Sequence, residues 1–181
     1  MTIHNFLKLQ VFALLFAAII SPLSAVADIV SNPATIKFVL GTHEVLDYGK
    51  DSCSYPKFAG TITGIGSGTI TEIGKKSKRL GVLSLIADDC ITPNPMQNSF
   101  SARGNLMLTT GNGDNIMANY SVSFIPTSIP LIYKYEDFDL HISGGTGLFT
   151  GATGSGILEG TSNIKTGLGI VEGTITMYIS K

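Results

Sequence analysis

Short runs of β-branched and aromatic residues alternate with clusters of Gly, Asn, Asp and Pro along most of the chain. Helical periodicity is almost absent after residue 27, and runs of this kind predict strands separated by turns. The pattern predicts strands at about 35–46, 58–65, 68–73, 80–87, 101–109, 115–125, 138–143, 155–164 and 170–179. Because the two runs that flank Gly66 can form one bent strand, we expect eight strands.

Eight antiparallel strands in an open sheet would leave two unpaired edges, and closure into a barrel removes both of them. Glycines inside the predicted strands permit the sharp bends that a small barrel needs. The sequence therefore predicts an all-β fold, an eight-stranded antiparallel up-and-down β-barrel.

The first 27 residues have the pattern of a secretory signal peptide. A lysine, Lys8, precedes the apolar run "VFALLFAAII", which is too short to span a bilayer as a helix. Ala25 and Ala27 supply the small residues of a cleavage site. We expect cleavage after Ala27 and a secreted, extracellular protein, or a periplasmic one in a Gram-negative bacterium. An N-terminal membrane anchor is the alternative, and we expect no membrane association after cleavage.

The remaining chain, residues 28–181, has a length that suits a single domain with one core. Of the 12 basic residues only Lys8 precedes the cleavage site, whereas all 13 acidic residues follow it, so the processed chain has a net charge of −2. This balance argues against a nucleic-acid partner or an anionic membrane surface. The basic run "KKSKR" is typical of a solvated hairpin end.

The segment from Gly144 to Gly154, "GGTGLFTGATG", admits two interpretations. Glycine accepts positive φ and close backbone approach, so the segment suits either a phosphate cradle or a tight bend in a β-structure. A phosphate cradle lies between a strand and a full helix, whereas the residues after Gly154 have a strand pattern. We therefore expect a bend, with one helical turn near Leu148.

Two cysteines, Cys53 and Cys90, lie in the processed chain. An exported chain with an even number of cysteines most simply pairs them in a disulfide. A catalytic thiol is the alternative, but an exposed thiol outside the cell tends to oxidise.

The run "YEDFDLHIS" places polar residues, among them Asp139 and His141, on one face of a strand and mainly apolar residues on the other. Alternation alone favours an outward polar face. His43, His141 and Asp139 supply the residue types of a two-histidine, one-carboxylate metal site, but no spacing brings them together, so we expect no metal and no cofactor.

Four stretches resemble the plant dirigent proteins, within the dirigent and allene oxide cyclase barrel superfamily. They are "HEVLDYG" from His43, "IADDCIT" from Ile86, "GGTGLF" from Gly144 and "TGLGIVEGTITMYI" from Thr166, in the family's order and with similar spacing. The last stretch is similar to the closing motif of the family. Bacterial secreted proteins of unknown role share the "GATG" segment. The resemblance implies an eight-stranded barrel, secretion and a homo-oligomer.

The resemblance also implies an acidic ligand pocket inside the barrel. When the catalytic acids of the family are carried over by position, they fall on Glu44, Asp88, Asp89 and Asp139. The resemblance thereby implies that the face of Asp139 points inward. Because neighbours on a strand point to opposite faces, only one of the Asp88–Asp89 pair can enter the pocket. The sequence departs from the family at Thr153, where an arginine is common, and at Cys90, where the family has proline. Candidate ligand-binding residues are His43, Tyr120 and His141.

The function that the resemblance implies is binding of aromatic or lipophilic small molecules and control of the stereochemistry of their coupling. In the family an external oxidase makes the phenoxy radicals, and the barrel orients them. Two alternatives stay open: an isomerase or cyclase of the allene oxide cyclase type, and a non-enzymatic extracellular interaction or structural barrel whose interior is filled by side chains.

Overall fold

A computed structural model describes residues 32–47, 53–54 and 57–179 of the 181-residue chain. The predicted signal peptide, residues 1–27, lies outside these ranges. Eight strands run in chain order: β1 Asn32–Asp47, β2 Phe58–Glu72, β3 Lys78–Asn94, β4 Ser99–Thr109, β5 Asn115–Pro126, β6 Ile132–Gly145, β7 Thr153–Asn163 and β8 Leu168–Ile179. No helix among the described residues has the length and apolar character needed to cross a membrane.

Each strand pairs antiparallel with the next one in sequence, and β1 also pairs with β8, which closes the barrel. This confirms the predicted eight-stranded antiparallel barrel. The two runs around Gly66 form the single strand β2, as expected. The predicted disulfide is also present, because Cys53 and Cys90 are bonded.

Alternation along the strands places most apolar side chains in the lumen. The largest fully buried side chains are Phe149, Ile36, Leu40, Leu83, Ile116, Leu140, Ile175 and Met177. Phe149 belongs to a single 3₁₀ turn, Gly147–Phe149, between β6 and β7. The turn closes the barrel end that contains the start of β5 and the end of β6, because Thr146 N–H donates to the carbonyl of Asn115.

The glycine-rich segment 144–154 is the predicted bend, and β7 follows it directly. Gly147 and Gly151 have φ values of 57° and 68°, in the region that favours glycine, so the chain reverses without the steric cost of a side chain. The opposite end of the barrel is the one where β1 and β3 end and β4 begins.

Candidate functional site

Two spaces that share lining residues, Glu44 among them, lie inside the barrel and at the end where β1 and β3 end. The inner cavity has a volume of about 50 Å³ and is lined almost entirely by apolar and aromatic side chains. The mouth pocket has a volume of about 510 Å³. Its described lining includes Glu44, Leu46, Phe58, Ile91, Phe100, Phe124, Ser162 and Lys165. Glu44 lines both spaces, so its side chain lies at the passage between them.

Polar side chains come from alternate strands around this passage: Glu44 from β1, Asp89 from β3 and Tyr120 from β5. The strands between them contribute glycines at the paired positions. Asp89 lies opposite Gly60 of β2 on one side and opposite Gly104 of β4 on the other. Gly104 in turn lies opposite Tyr120. Glycine on alternate strands leaves room for the neighbouring side chains to turn into the lumen.

The hydroxyl of Tyr120 donates a 2.7 Å hydrogen bond to Oδ2 of Asp89. The other oxygen of that carboxyl group, Oδ1, and Oε1 of Glu44 are buried without a hydrogen-bond partner among the described residues. A Cβ atom added to Gly60 would lie 2.4 Å from Asp89 Oδ1 and 2.9 Å from Glu44 Oε1. Both unpartnered oxygens therefore lie over Gly60, in the room that its missing side chain leaves, and we call this position the Gly60 niche.

The low polarity of the lumen shifts the titration of these groups. Burial raises the pKa of Glu44 from 4.5 to about 7, and the nearby charge of Asp89 adds to the shift. Burial also raises the pKa of Asp89, while the hydrogen bond from Tyr120 acts in the opposite direction. The pKa of Tyr120 is raised, first by burial and then by the charge of Asp89. The site therefore retains a proton on Glu44 up to about neutral pH.

Aromatic rings form the wall beside the carboxyl groups. The ring of Phe138 stacks on Tyr120 with 5.6 Å between centroids, and Tyr135 packs edge-on against Phe124. The hydroxyl of Tyr135 shares hydrogen bonds with Ser162 and Thr42, and burial raises its pKa. The arrangement combines acceptor oxygens at the Gly60 niche with flat apolar surfaces next to them. Chemically, it can accept hydrogen bonds from a ligand, hold aromatic rings and exchange a proton.

The structure separates the predicted acidic residues into two groups. Glu44 and Asp89 are brought together in the lumen, whereas Asp88 points outward and accepts a hydrogen bond from the Thr61 hydroxyl. One member of the Asp88–Asp89 pair thus enters the interior, as alternation required. The side chain of Asp139 is on the outer surface and 61% exposed, so the expectation that its face points inward is wrong.

The predicted ligand-binding residues are also divided. Tyr120 belongs to the site, and His43 is an exposed residue at the border of the mouth pocket. His141 lies on the outside of β6 and forms a 3.1 Å contact with Asp139. His43 and His141 lie on β1 and β6, two strands that are not neighbours, so the three residues considered for a metal are not brought together.

A β-bulge in β6, just before Asp139, gives Tyr135 and Asp139 opposite orientations. Between the pairs Ser121–Asp139 and Ser123–Glu136, β6 has one residue more than β5, and Asp137 has a φ of 50°. The extra residue changes the phase of the alternation. Tyr135, which the run "YEDFDLHIS" placed on the same face as Asp139, therefore points into the lumen.

The sequence did not identify Gly60, Gly104 or Tyr135 as members of the site. The alternation along β6 would have predicted that Tyr135 faces the lumen if the position of the bulge had been known. The two glycines carry no chemistry of their own, and their importance follows from the pairing register of β2, β3 and β4. The register is a property of paired strands, so it cannot be inferred from the sequence pattern of one strand.

Changing Tyr120 to phenylalanine should destabilise the barrel. The Y120F variant leaves Asp89 Oδ2 buried without its donor, which costs about 1–3 kcal/mol in the free energy of unfolding. Urea denaturation at pH 7 measures this difference. Y178F is the matched control, because Tyr178 is 50% exposed, and it should change stability by less than about 0.5 kcal/mol. Equal stabilities of the two variants would contradict the assigned hydrogen bond.

Taken together, fold and site define a closed antiparallel β-barrel with a paired carboxyl site in an aromatic interior. No family model matches the chain, and a comparison with curated proteins gives no match. Among solved structures, the chain is similar to the pterocarpan synthase dirigent protein GePTS1. Identity is 16%, the alignment covers 83% of this chain and 90% of that chain, and the TM-score is 0.41. The sequence motifs resemble the same family, and we take no residue role, ligand or reaction from this similarity.

Proposed function

We propose that this protein is a secreted small-molecule-binding barrel that orients lipophilic phenols for stereoselective coupling of radicals made by a separate oxidase. The observation that supports the proposal is the Gly60 niche, where two carboxyl oxygens face the same space without a hydrogen-bond partner among the described residues. The disulfide is compatible with an extracellular location.

A phenolic ligand suits the niche for a physical reason. A buried acceptor without a donor costs about 1–3 kcal/mol, and a ligand hydroxyl that reaches Glu44 Oε1 recovers part of this cost. The aromatic rings of Tyr135 and Phe138 provide apolar surface for the ring that carries the hydroxyl.

The two volumes indicate where such a ligand would lie. The inner cavity, at about 50 Å³, is far below the volume of a typical small-molecule site, which is about 300–1,000 Å³. The mouth pocket, at about 510 Å³, is within that range. In the proposed pose the ligand ring therefore occupies the mouth pocket and its hydroxyl group points past Glu44 toward the niche.

Control of radical coupling requires orientation more than a reactive side chain, because the radicals combine without further activation. The proposed role of the mouth pocket is to expose one face of the bound radical to its partner. Glu44, with a pKa of about 7, can pass a proton to or from the coupled intermediate near neutral pH.

Binding of 2-naphthol and of 2-methoxynaphthalene, measured by isothermal titration calorimetry at pH 8, where Glu44 is mostly ionised, tests the ligand class. The two probes have the same ring system, but only the first can donate a hydrogen bond. We expect 2-naphthol to bind at least about tenfold more tightly, since a hydrogen bond to a charged acceptor contributes about 1.5–3 kcal/mol. Equal affinities, or no binding of either probe, would refute the proposed ligand class.

Two variants locate the binding site and one serves as the control. G60A fills the niche and should remove the preference for 2-naphthol. E44Q keeps an acceptor oxygen but loses the charge, and should reduce the preference. D139N alters an exposed carboxylate on the outer surface and should leave binding unchanged. Circular dichroism of each variant separates a lost site from a lost fold.

Coupling is tested with isoeugenol, a phenol whose oxidative coupling creates stereocentres, and a chemical one-electron oxidant. We expect the protein to produce an enantiomeric excess in the coupled product that E44Q lowers and D139N does not. If the protein binds 2-naphthol but the coupled product is racemic, the protein binds phenols without controlling their coupling.

Turnover without any oxidant would favour the cyclase alternative. The raised pKa of Glu44 disfavours the ionised carboxylate which that reaction needs.

The small inner cavity supports one other candidate function. A lumen filled by its own side chains suits a non-enzymatic barrel that acts through its outer surface. The calorimetric experiment distinguishes the two candidates, because an interaction module has no reason to bind 2-naphthol at the mouth pocket.

A further inference from the structure

The wall of the barrel is interrupted between β6 and β7. Pairing stops at Lys134 of β6 and resumes at Leu140, so residues 135–139 lie beside residues 157–160 of β7 without pairing. Between the other neighbouring strands of the described barrel, no interruption leaves out more than two residues of a strand. We call the interruption between β6 and β7 the β6–β7 break.

The break coincides with the bulge in β6. Asp137 has a φ of 50°, which is uncommon for a residue with a side chain. A bulge bends its strand and disrupts the hydrogen bonds to a neighbour. On the β5 side the pairing resumes at once, with Ser121 opposite Asp139 and Ser123 opposite Glu136. The larger disruption is therefore on the side of β7.

Two spaces approach each other at the break. One is the inner cavity, and the other is a pocket of about 510 Å³ on the outer surface between β6 and β7, which we call the side pocket. Tyr135, Phe138 and Leu158 line both spaces. Tyr135 and Phe138 are only half-buried although they face the lumen. Side chains, rather than paired backbone, therefore separate the inner cavity from the outside here.

The side chain of Tyr135 lies across the strands next to the break. A Cβ atom added to Gly160 of β7 would lie 3.0 Å from two atoms of its ring, and one added to Gly169 of β8 would lie 3.0 Å from its hydroxyl oxygen. That hydroxyl group shares hydrogen bonds with Ser162 and Thr42. The side chain therefore reaches from β6 over β7 to β8 and joins the strands where backbone pairing is missing.

Charged residues surround the side pocket. Lys134 forms an ion pair with Glu136, whereas Asp137 and Glu159 form no ion pair with another described residue. These three acids and one lysine give the rim of the pocket two excess negative charges. A rim of this sign attracts cations and repels anions.

We infer that the β6–β7 break is a side entrance to the barrel interior for small neutral or cationic molecules, and that the side chain of Tyr135 fastens it. Opening the break displaces side chains, whereas an opening elsewhere in the described wall also breaks backbone hydrogen bonds between strands. The inner cavity that it reaches is lined by Glu44 as well. A barrel with a ligand in the mouth pocket thus keeps a second route for solvent and small solutes.

The reactivity of an introduced thiol tests the entrance. Both native cysteines form the disulfide, so L158C has the single free thiol of the chain. L108C is the matched control, because Leu108 is also buried and lines the inner cavity but belongs to β4. We expect methyl methanethiosulfonate to modify L158C at least tenfold faster. Equal rates would overturn the inference, because entry through the mouth pocket or global unfolding serves both positions.

A second position makes the result independent of one variant. F138C places the thiol on the other strand of the break, and it should also react at least tenfold faster than L108C. Circular dichroism of each variant shows whether it is folded. Slow reaction of both folded variants at the break would overturn the inference.

Filling the side pocket from outside tests the location of the entrance. Ile157 is 71% exposed and lines the side pocket, so adding I157W to L158C should slow the reaction at least threefold. I73W is the matched control, because Ile73 is 76% exposed but does not line the side pocket, and it should leave the rate unchanged. An unchanged rate with I157W would overturn the assigned location.

Charged thiol reagents test the selectivity of the rim. The trimethylammonium-ethyl methanethiosulfonate should modify L158C at least threefold faster than the sulfonato-ethyl reagent, after each rate is divided by its rate with free cysteine. Equal normalised rates would overturn the selectivity for cations over anions.

Removal of the Tyr135 hydroxyl group tests the fastening. Y135F loses the hydrogen bonds to Ser162 and Thr42 and should raise the reaction rate of L158C at least threefold. Y178F changes a half-exposed tyrosine and should leave the rate unchanged. If Y135F reacts no faster than Y178F, Tyr135 does not fasten the entrance.

Discussion

Replacing Glu44 with glutamine is expected to remove most of the dependence of barrel stability on pH between about 4.5 and 7. The folded-state pKa of Glu44, about 7, is raised above its ordinary value of 4.5, so the folded protein holds this proton more tightly than the unfolded chain. The resulting stabilisation is complete below pH 4.5 and is lost as the pH rises through 7. Its size is at most about 3.5 kcal/mol, because each pKa unit corresponds to about 1.4 kcal/mol.

Urea denaturation of the wild type and E44Q at pH 5 and pH 8 measures this effect. The wild type should be less stable at pH 8 by up to about 3 kcal/mol, whereas E44Q should lose much less between the two pH values. Asp89 also has a raised pKa, so some dependence on pH should remain in the variant. D139N, which changes an exposed carboxyl group, should behave as the wild type does. An equal loss of stability in E44Q and the wild type would show that Glu44 is not the group responsible.

Removal of the disulfide is the other change with a large expected effect. Cys53 and Cys90 are separated by 37 positions, and a loop of this length restricts the unfolded chain by about 4 kcal/mol in the chain-entropy model. The double variant C53A/C90A should therefore unfold at a lower urea concentration, with a free energy of unfolding lower by about 4 kcal/mol.

Wild-type protein treated with dithiothreitol provides the matched comparison, since it breaks the same bond and keeps both side chains. We expect the reduced protein and the double variant to agree within about 1 kcal/mol, because the closed loop contributes more than the packing of the two sulfur atoms. A loss below about 1 kcal/mol in both samples would mean that the region between the cysteines remains ordered in the unfolded state.

The barrel could be predicted from the sequence because its signals are local. Turn residues separate the strand runs, and the bend at 144–154 follows from glycine together with the strand pattern after Gly154. Strand ends were predicted less well. β6 begins at Ile132, six residues before the predicted start, because its first part contains polar residues on the outer face and a bulge that interrupts the alternation.

The candidate site could be predicted only in part for a different reason. Glu44, Asp89 and Tyr120 were identified as candidates, but their convergence depends on how β1 to β5 are aligned. The alignment results from barrel closure, which no single segment encodes. Asp139 was assigned to the interior by position in a motif, whereas the alternation with the buried Leu140 and Ile142 places it outside.

The pairing of β1 with β8 also constrains the order of folding. β1 is synthesised before the other described strands, yet one of its two partners, β8, ends only at Ile179. The barrel therefore cannot close until Ile179 has left the ribosome, and contacts between residues far apart in sequence form slowly. Until then, β1 and the growing end of the sheet expose hydrogen-bonding edges that can pair with other chains. The Cys53–Cys90 bond needs only the first half of the chain, so it can form before closure and restrict the region around β2 while β8 is still absent.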